Sequence, residues 1–198
     1  MIPWLGGIAP DLLFRSLEEK GLHRQLFFFL AWHMAQNQKP EKKKVIVCGI
    51  GNVLLQDEGV GVHVVRELKN FPLPPSVELI EGGTMLLDFL FQLQEARQVI
   101  LIDAVKAGEP PGSICLVDSE QLIETETNHP LSLHQVDAVQ VLKIMALEKD
   151  PPPCLIVGIE PASLEWGLEL SEIIKERMPE ILQVVRDQIR KALSTENA

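Results

Sequence analysis

The chain has 198 residues, 46% hydrophobic and 23% charged, a composition that fits one well-cored domain. Its formal net charge of −10 argues against a nucleic-acid surface, because neutralising phosphates needs a basic face; the bland reading of that charge is solubility. No apolar run approaches the roughly 20 residues of a membrane span.

The nearest approach is LFFFLAW, Leu26–Trp32. It follows the mixed-charge stretch RSLEEKGLHR, where a signal peptide would carry a basic flank. Secretion is therefore not expected, and the chain is read as cytoplasmic. Cys48, Cys115 and Cys154 are odd in number, lack CxxC spacing and fall in apolar runs. They read as small buried hydrophobes in a reducing compartment.

Residues 1–43 differ from the rest. They hold two of the three tryptophans and four of the seven phenylalanines, and end in QNQKPEKKK. They are treated as an N-terminal extension of unknown role: an amphipathic helical segment, or sequence ahead of a start at Met34. Residues 44–198 form the second region, and its pattern is regular.

KVIVCGI (44–50) is a short β-branched run, so a buried strand. GVGVHVVRELKN (59–70) carries Val60, Val64 and Leu68 at fourfold spacing, so a helix. SVELIE is a second strand, TMLLDFLFQLQEA a helix with a wide apolar face, and QVILIDA a third strand that stays apolar until Asp103. GEPPG turns the chain into SICLVD, a fourth strand. LSLHQVDAVQVLKIMALEK is a helix with Val136, Val139, Leu142 and Met145 at threefold spacing, opened by a Ser132/Gln135 capping box. PPPCLIVGIEP is a final buried strand. An amphipathic helix over roughly 171–193 follows, which Pro179 is expected to kink or divide. Alternating strands and helices predict an α/β domain in three layers: a twisted, mostly parallel sheet of about five strands with helices on both faces. Ligands of such sheets gather at the carboxyl ends of the strands.

The glycine turn after the first strand is not a nucleotide fingerprint. Gly49 and Gly51 supply two glycines of a dinucleotide motif, but Leu54 stands where the third belongs, and no GK[ST] follows. Only Glu81, ending the second strand, sits where a ribose-binding acid would.

A different set of polar residues falls at strand and helix ends. Glu58 opens a helix, Asp103 ends the third strand, and His134 lies in the first turn of a capped helix. In a parallel sheet Glu58 and Asp103 emerge on one edge. A helix N-terminus favours the ionised carboxylate and the neutral imidazole, the states that bind a metal. One imidazole with two carboxylates suits a borderline divalent ion such as nickel, zinc or manganese, not a closed structural zinc site. Taken singly each residue also has a structural reading: Asp57 and Glu58 as helix-start acids, Asp103 as a turn cap, His134 as a surface residue. His63 and His129 are chemically equivalent candidates, and spacing does not choose among the histidines. Cys48 lies inside a strand, Ser132 is a cap, and neither G-x-S-x-G nor HExxH occurs. A hydrolase built on this chain activates water and forms no covalent intermediate.

In order along the chain, GIGNVLLQDEGVGVHVV, EGGT, VILIDAV and HQVDAVQVLKIM resemble the hydrogenase maturation proteases, from about Lys44 to the final helix. The resemblance implies an α/β endopeptidase that removes a short C-terminal peptide from the precursor of a nickel–iron hydrogenase large subunit after nickel insertion. By motif position it implies a metal-contacting triad of Glu58, Asp103 and His134, so it chooses His134 over His63. The triad is also the best candidate for the catalytic residues. The nickel is supplied by the substrate, either as a recognition handle or also to polarise the scissile carbonyl or acidify a water. No nucleotide cofactor is expected, and the enzyme is expected to act as a monomer. Two departures stand: Glu81 occupies a position where many relatives have Asp, and residues 1–43 have no counterpart. The alternatives are a non-catalytic nickel-precursor binding module or chaperone on the same fold, and a nucleotide-binding α/β protein.

Overall fold

The computed structural model describes residues 44–119, 141–147 and 150–194. Its elements are β1 (Val45–Ile50), a 3-10 turn (Gln56–Gly59), α1 (Val60–Leu68), β2 (Val77–Gly83), a second 3-10 turn (Leu86–Phe89), α2 (Leu90–Gln94), β3 (Gln98–Ala104), β4 (Ile114–Asp118), β5 (Cys154–Ile159) and α3 (Glu172–Ser194). Residues 141–145 are helical.

The five strands form one sheet in the order β2-β1-β3-β5-β4. β1 pairs in parallel with β2 and β3, β3 pairs in parallel with β5, and β4 closes the far edge antiparallel to β5. This is the three-layer, mostly parallel α/β arrangement expected from the alternating pattern.

The absence of alternation in β1 reflects burial on both faces. Val45 and Val47 point into one core with Val60, Val64 and Leu68 of α1 and Ile174, Ile181, Val185 and Ile189 of α3. Ile46, Cys48 and Ile50 point into the other, with Leu86, Leu93, Val141, Leu142 and Met145. Each fully buried aliphatic side chain contributes roughly 1.5–3 kcal/mol. β2 lies on one side of β1 and β3 on the other, so the chain reverses its winding direction at β1. The carboxyl ends of β1 and β3 therefore flank a switch point, where α/β sheets leave a crevice.

Several sequence expectations change in detail. The helix read over TMLLDFLFQLQEA is a 3-10 turn followed by only five α-helical residues, and its apolar face is split. Leu86 and Leu93 are buried while Leu87 and Phe91 are exposed. Pro179 does not divide the last helix, which is continuous from Glu172 to Ser194. Cys48 and Cys154 are buried as expected, but Cys115 is only half-buried; all three are free thiols. The helix start carrying Ser132, His134 and Gln135 lies outside the described residues, as does residue range 1–43.

Candidate functional site

The site is built from the first strand outward. β1 ends at Ile50, and Gly51 takes φ +119, a left-handed backbone that side chains rarely adopt. A Cβ there would stand 1.8 Å from the Glu58 carbonyl oxygen, so the loop folds directly back on its own start. Glu58 sits in the 3-10 turn that leads into α1. The helix then drops onto the sheet through Gly61. A Cβ on Gly61 would lie 2.1 Å from the Ile102 carbonyl oxygen and 2.6 Å from that of Ile50. Gly49 makes the reciprocal allowance, its missing Cβ lying 2.1 Å from the Gly61 oxygen. The glycines expected to serve as turn makers are thus mainly packing residues. They seat the start of α1 on the residue before Asp103.

That seating brings two carboxylates together. Asp103 lies at the carboxyl end of β3, opposite Gly158 of β5, and is only 5% exposed. One of its oxygens accepts the Ala104 main-chain N–H at 2.8 Å. Glu58 is also buried, with Oε2 shut off from solvent. Burial pushes the Asp103 carboxyl up to about 7; the Ala104 N–H acts against this, and the Glu58 charge adds to the rise. A buried Asp103 carboxyl with a second buried carboxyl within electrostatic range is stabilised in its ionised form by a cation. Oxygen donors of this kind fit a divalent ion. Among the described residues no group of three or more His, Cys, Asp or Glu could hold a metal ion. Of the expected triad, Glu58 and Asp103 lie close enough to interact electrostatically, and His134 lies outside the described residues.

His63, the rival histidine, is on α1. Its Nε2 is buried with no hydrogen-bond partner among the described residues. Burial, then the nearby Arg66 charge, hold the imidazole below its ordinary pKa. It does not complete a three-ligand set with Glu58 and Asp103. His129 lies outside the described residues.

Asp57 has a role that the sequence did not reveal. Its side chain caps neither the 3-10 turn nor α1. It is fully buried instead, and its carboxylate receives three main-chain N–H groups from far along the chain. Oδ2 accepts from Ala162 and Ser163, both at 2.9 Å, and Oδ1 accepts from Ser171 at 2.7 Å. Asp57 thereby fixes the loop between β5 and α3 beside Glu58. The two loops also pair directly: Gly167 N–H donates to Leu54 O at 3.0 Å, and Gln56 N–H donates to Gly167 O at 2.9 Å.

Glu81 is engaged too. It accepts Arg66 at 2.9 Å and also Lys69, both from α1, and these cations, Lys69 first, hold its carboxyl below the ordinary range. Its place at the end of β2 thus serves to tie α1 to the sheet edge.

The family model described as hydrogenase maturation protease matches residues 62–188. The chain belongs to the hydrogenase maturation protease family. It is 31% identical over 150 residues to the hydrogenase expression/formation protein HoxM of Cupriavidus necator, covering 74% of each chain. It is 30% identical over 152 residues to the hydrogenase 2 maturation protease of Escherichia coli, covering 75% of this chain and 92% of that one. Among solved structures it is similar to the hydrogenase maturating endopeptidase HybD from E. coli, with a TM-score of 0.69 and 29% identity over 75% of this chain and 93% of that one. This hydrogenase maturation protease is accordingly a peptidase, a hydrolase of the endopeptidase type.

Proposed function

We propose that the enzyme removes a short C-terminal peptide from the precursor of a nickel–iron hydrogenase large subunit, after nickel has been inserted. Glu58, Asp103 and His134 recognise the nickel that the precursor carries. The observation behind this reading is the buried Glu58/Asp103 pair at the sheet's switch point. Its excess negative charge is relieved when a cation arrives, so a precursor without metal is bound poorly and one with metal is bound well. Affinity and checking of the cargo become the same event. The nickel, as part of the substrate, serves as a recognition handle, or would also polarise the scissile carbonyl or acidify a water. The carboxylates hold it and keep their charge once it is bound.

The reading places the reaction in the cytoplasm, in keeping with three free thiols. Among the described residues no helix is long and apolar enough to cross a membrane.

The test is precursor shortening followed by mass spectrometry. Glu58→Gln, Asp103→Asn and His134→Gln are each expected to abolish shortening of nickel-loaded precursor while leaving the circular dichroism spectrum unchanged. Normal processing by all three variants would sink the proposal. Precursor that is bound and never shortened by the wild type would identify a binding module.

A further inference from the structure

The loop that Asp57 fixes beside the carboxylates carries side chains that the fold does not use. Trp166 is 80% exposed and Leu168 66% exposed, and Leu54 on the partner loop is 47% exposed. These three flank the Leu55–Gly167 bridge, so main-chain hydrogen bonds hold them together. Large apolar side chains grouped in this way mark an interaction surface more often than isolated ones do. The main chain next to Trp166 is fixed by the Gly167 bonds, and an indole offers a large apolar face with a polar handle, which suits an anchor.

The two loops themselves carry charge of one sign. Residues 51–59 and 160–171 contain Asp57, Glu58, Glu160, Glu165 and Glu169, with no lysine or arginine. The Asp57 charge is taken up by the loop main chain and Glu160 accepts N–H groups of Ala107 and Glu109. Lys175 of α3 reaches Glu169 at 3.5 Å but is shared with Glu172. Glu165 and the largely exposed Glu169, which shares its one lysine with Glu172, are left to favour an occupant that brings positive charge along with its apolar side chains.

We infer that Leu54, Trp166 and Leu168 form the docking surface for an extended, apolar and basic segment of the precursor next to the bond that is cut. This rests on the endopeptidase reading above and adds the chemistry of the segment recognised. Bond selection then has two parts: the metal fixes one point of the precursor, and the apolar, basic segment fixes the direction in which the chain leaves it. Complementary charge also speeds encounter and rejects acidic segments.

The test uses two synthetic peptides of equal leucine and valine content, one carrying lysines and the other glutamates at the same positions. They are titrated into the full chain with Trp4→Phe and Trp32→Phe, which leaves Trp166 as its only indole. The lysine peptide is expected to shift Trp166 emission to the blue and the glutamate peptide to leave it unchanged. Leu54→Ser is expected to weaken the lysine peptide about ten-fold, the order lost with a central apolar anchor. On nickel-loaded precursor, Trp166→Ala is expected to raise KM about ten-fold with kcat held. Equal binding of both peptides, binding of neither, or an unchanged KM overturns the inference. Failure of the wild type to shorten precursor would defeat the endopeptidase reading instead, and the peptide titration would still report on the surface.

Discussion

Oδ1 of Asp57 receives the main-chain N–H of Ser171 at 2.7 Å, across 114 positions of sequence. With Ala162 and Ser163 on the other oxygen, this carboxylate makes three charge-assisted bonds in a buried setting. Asp57→Asn turns one of the two oxygens into an amide that faces N–H groups with N–H groups. Bonds to charged groups are worth about 1.5–3 kcal/mol each, so a loss of about 3 kcal/mol or more is expected in urea unfolding. Limited proteolysis should cut first within residues 160–171. An unchanged midpoint would show that the loop is held by other contacts.

Gly61→Ala tests the seating of α1 on the sheet. The added carbon would meet the Ile102 and Ile50 carbonyl oxygens, which are main-chain atoms and cannot rotate away. The helix has to lift, and the variant is expected to lose several kcal/mol or to fail to accumulate in soluble form. Gly108→Ala is the control. Gly108 has φ +80 but open space around it, so only the backbone strain of about 1–2 kcal/mol applies. Similar losses in both variants would mean that close approach at Gly61 is not what limits the fold.

The sheet was legible because its signal is local. Five apolar runs bounded by turns are enough to find β1 to β5, and the interruption of β3 by Asp103 drew attention to a candidate site. Glu58 was legible for the same reason, as an acid at a helix start. Asp57, its neighbour, was not. Nothing in LLQDEG distinguishes a carboxylate that faces a crevice from one that binds a loop more than a hundred residues away. The glycines carried a signal but an ambiguous one, since a turn, a phosphate cradle and a close helix–strand contact all call for glycine. Of Gly49, Gly51 and Gly61, Gly51 alone takes the left-handed backbone; Gly49 and Gly61 are needed for contact distances that appear after the chain has folded. Trp166 was passed over because its exposure depends on where the loop between β5 and α3 is fixed. The choice of histidine came from motif resemblance, since helical spacing treated His63 and His134 alike.

Glu81→Gln should have a modest effect. Glu81 bonds to Arg66 and Lys69, but all three side chains are partly exposed, at 31%, 48% and 52%. Pairs of this kind contribute up to about 1 kcal/mol and are screened by salt. The variant is expected to lose about that amount at low ionic strength and to approach the wild type at high salt. A large loss that salt does not reduce would give Glu81 a role beyond tying α1 to β2.

Asp103→Asn separates the cost of the site from its use. The native carboxyl is raised from 3.8 to about 7, chiefly by burial and further by the charge of Glu58. Between those values the native state holds a proton that the unfolded chain releases. The Asp103 contribution to stability therefore falls as pH rises from about 4 to about 7 and is constant above that. A shift of this size corresponds to a cost on the order of 4 kcal/mol at neutral pH and above. Asn keeps an oxygen to accept the Ala104 N–H and cannot ionise. The variant and the wild type are expected to unfold at similar urea concentrations near pH 4. Near pH 8 the variant should be the more stable by a few kcal/mol while being unable to shorten nickel-loaded precursor. A more stable and inactive enzyme is what a carboxyl kept for a cation should yield on neutralisation, because the cost of ionising it in a buried setting, to which the Glu58 charge adds, is what a bound metal offsets. Parallel stability curves for the two proteins from pH 4 to pH 8 would mean that Asp103 titrates as an ordinary carboxyl and that the pair carries no such strain.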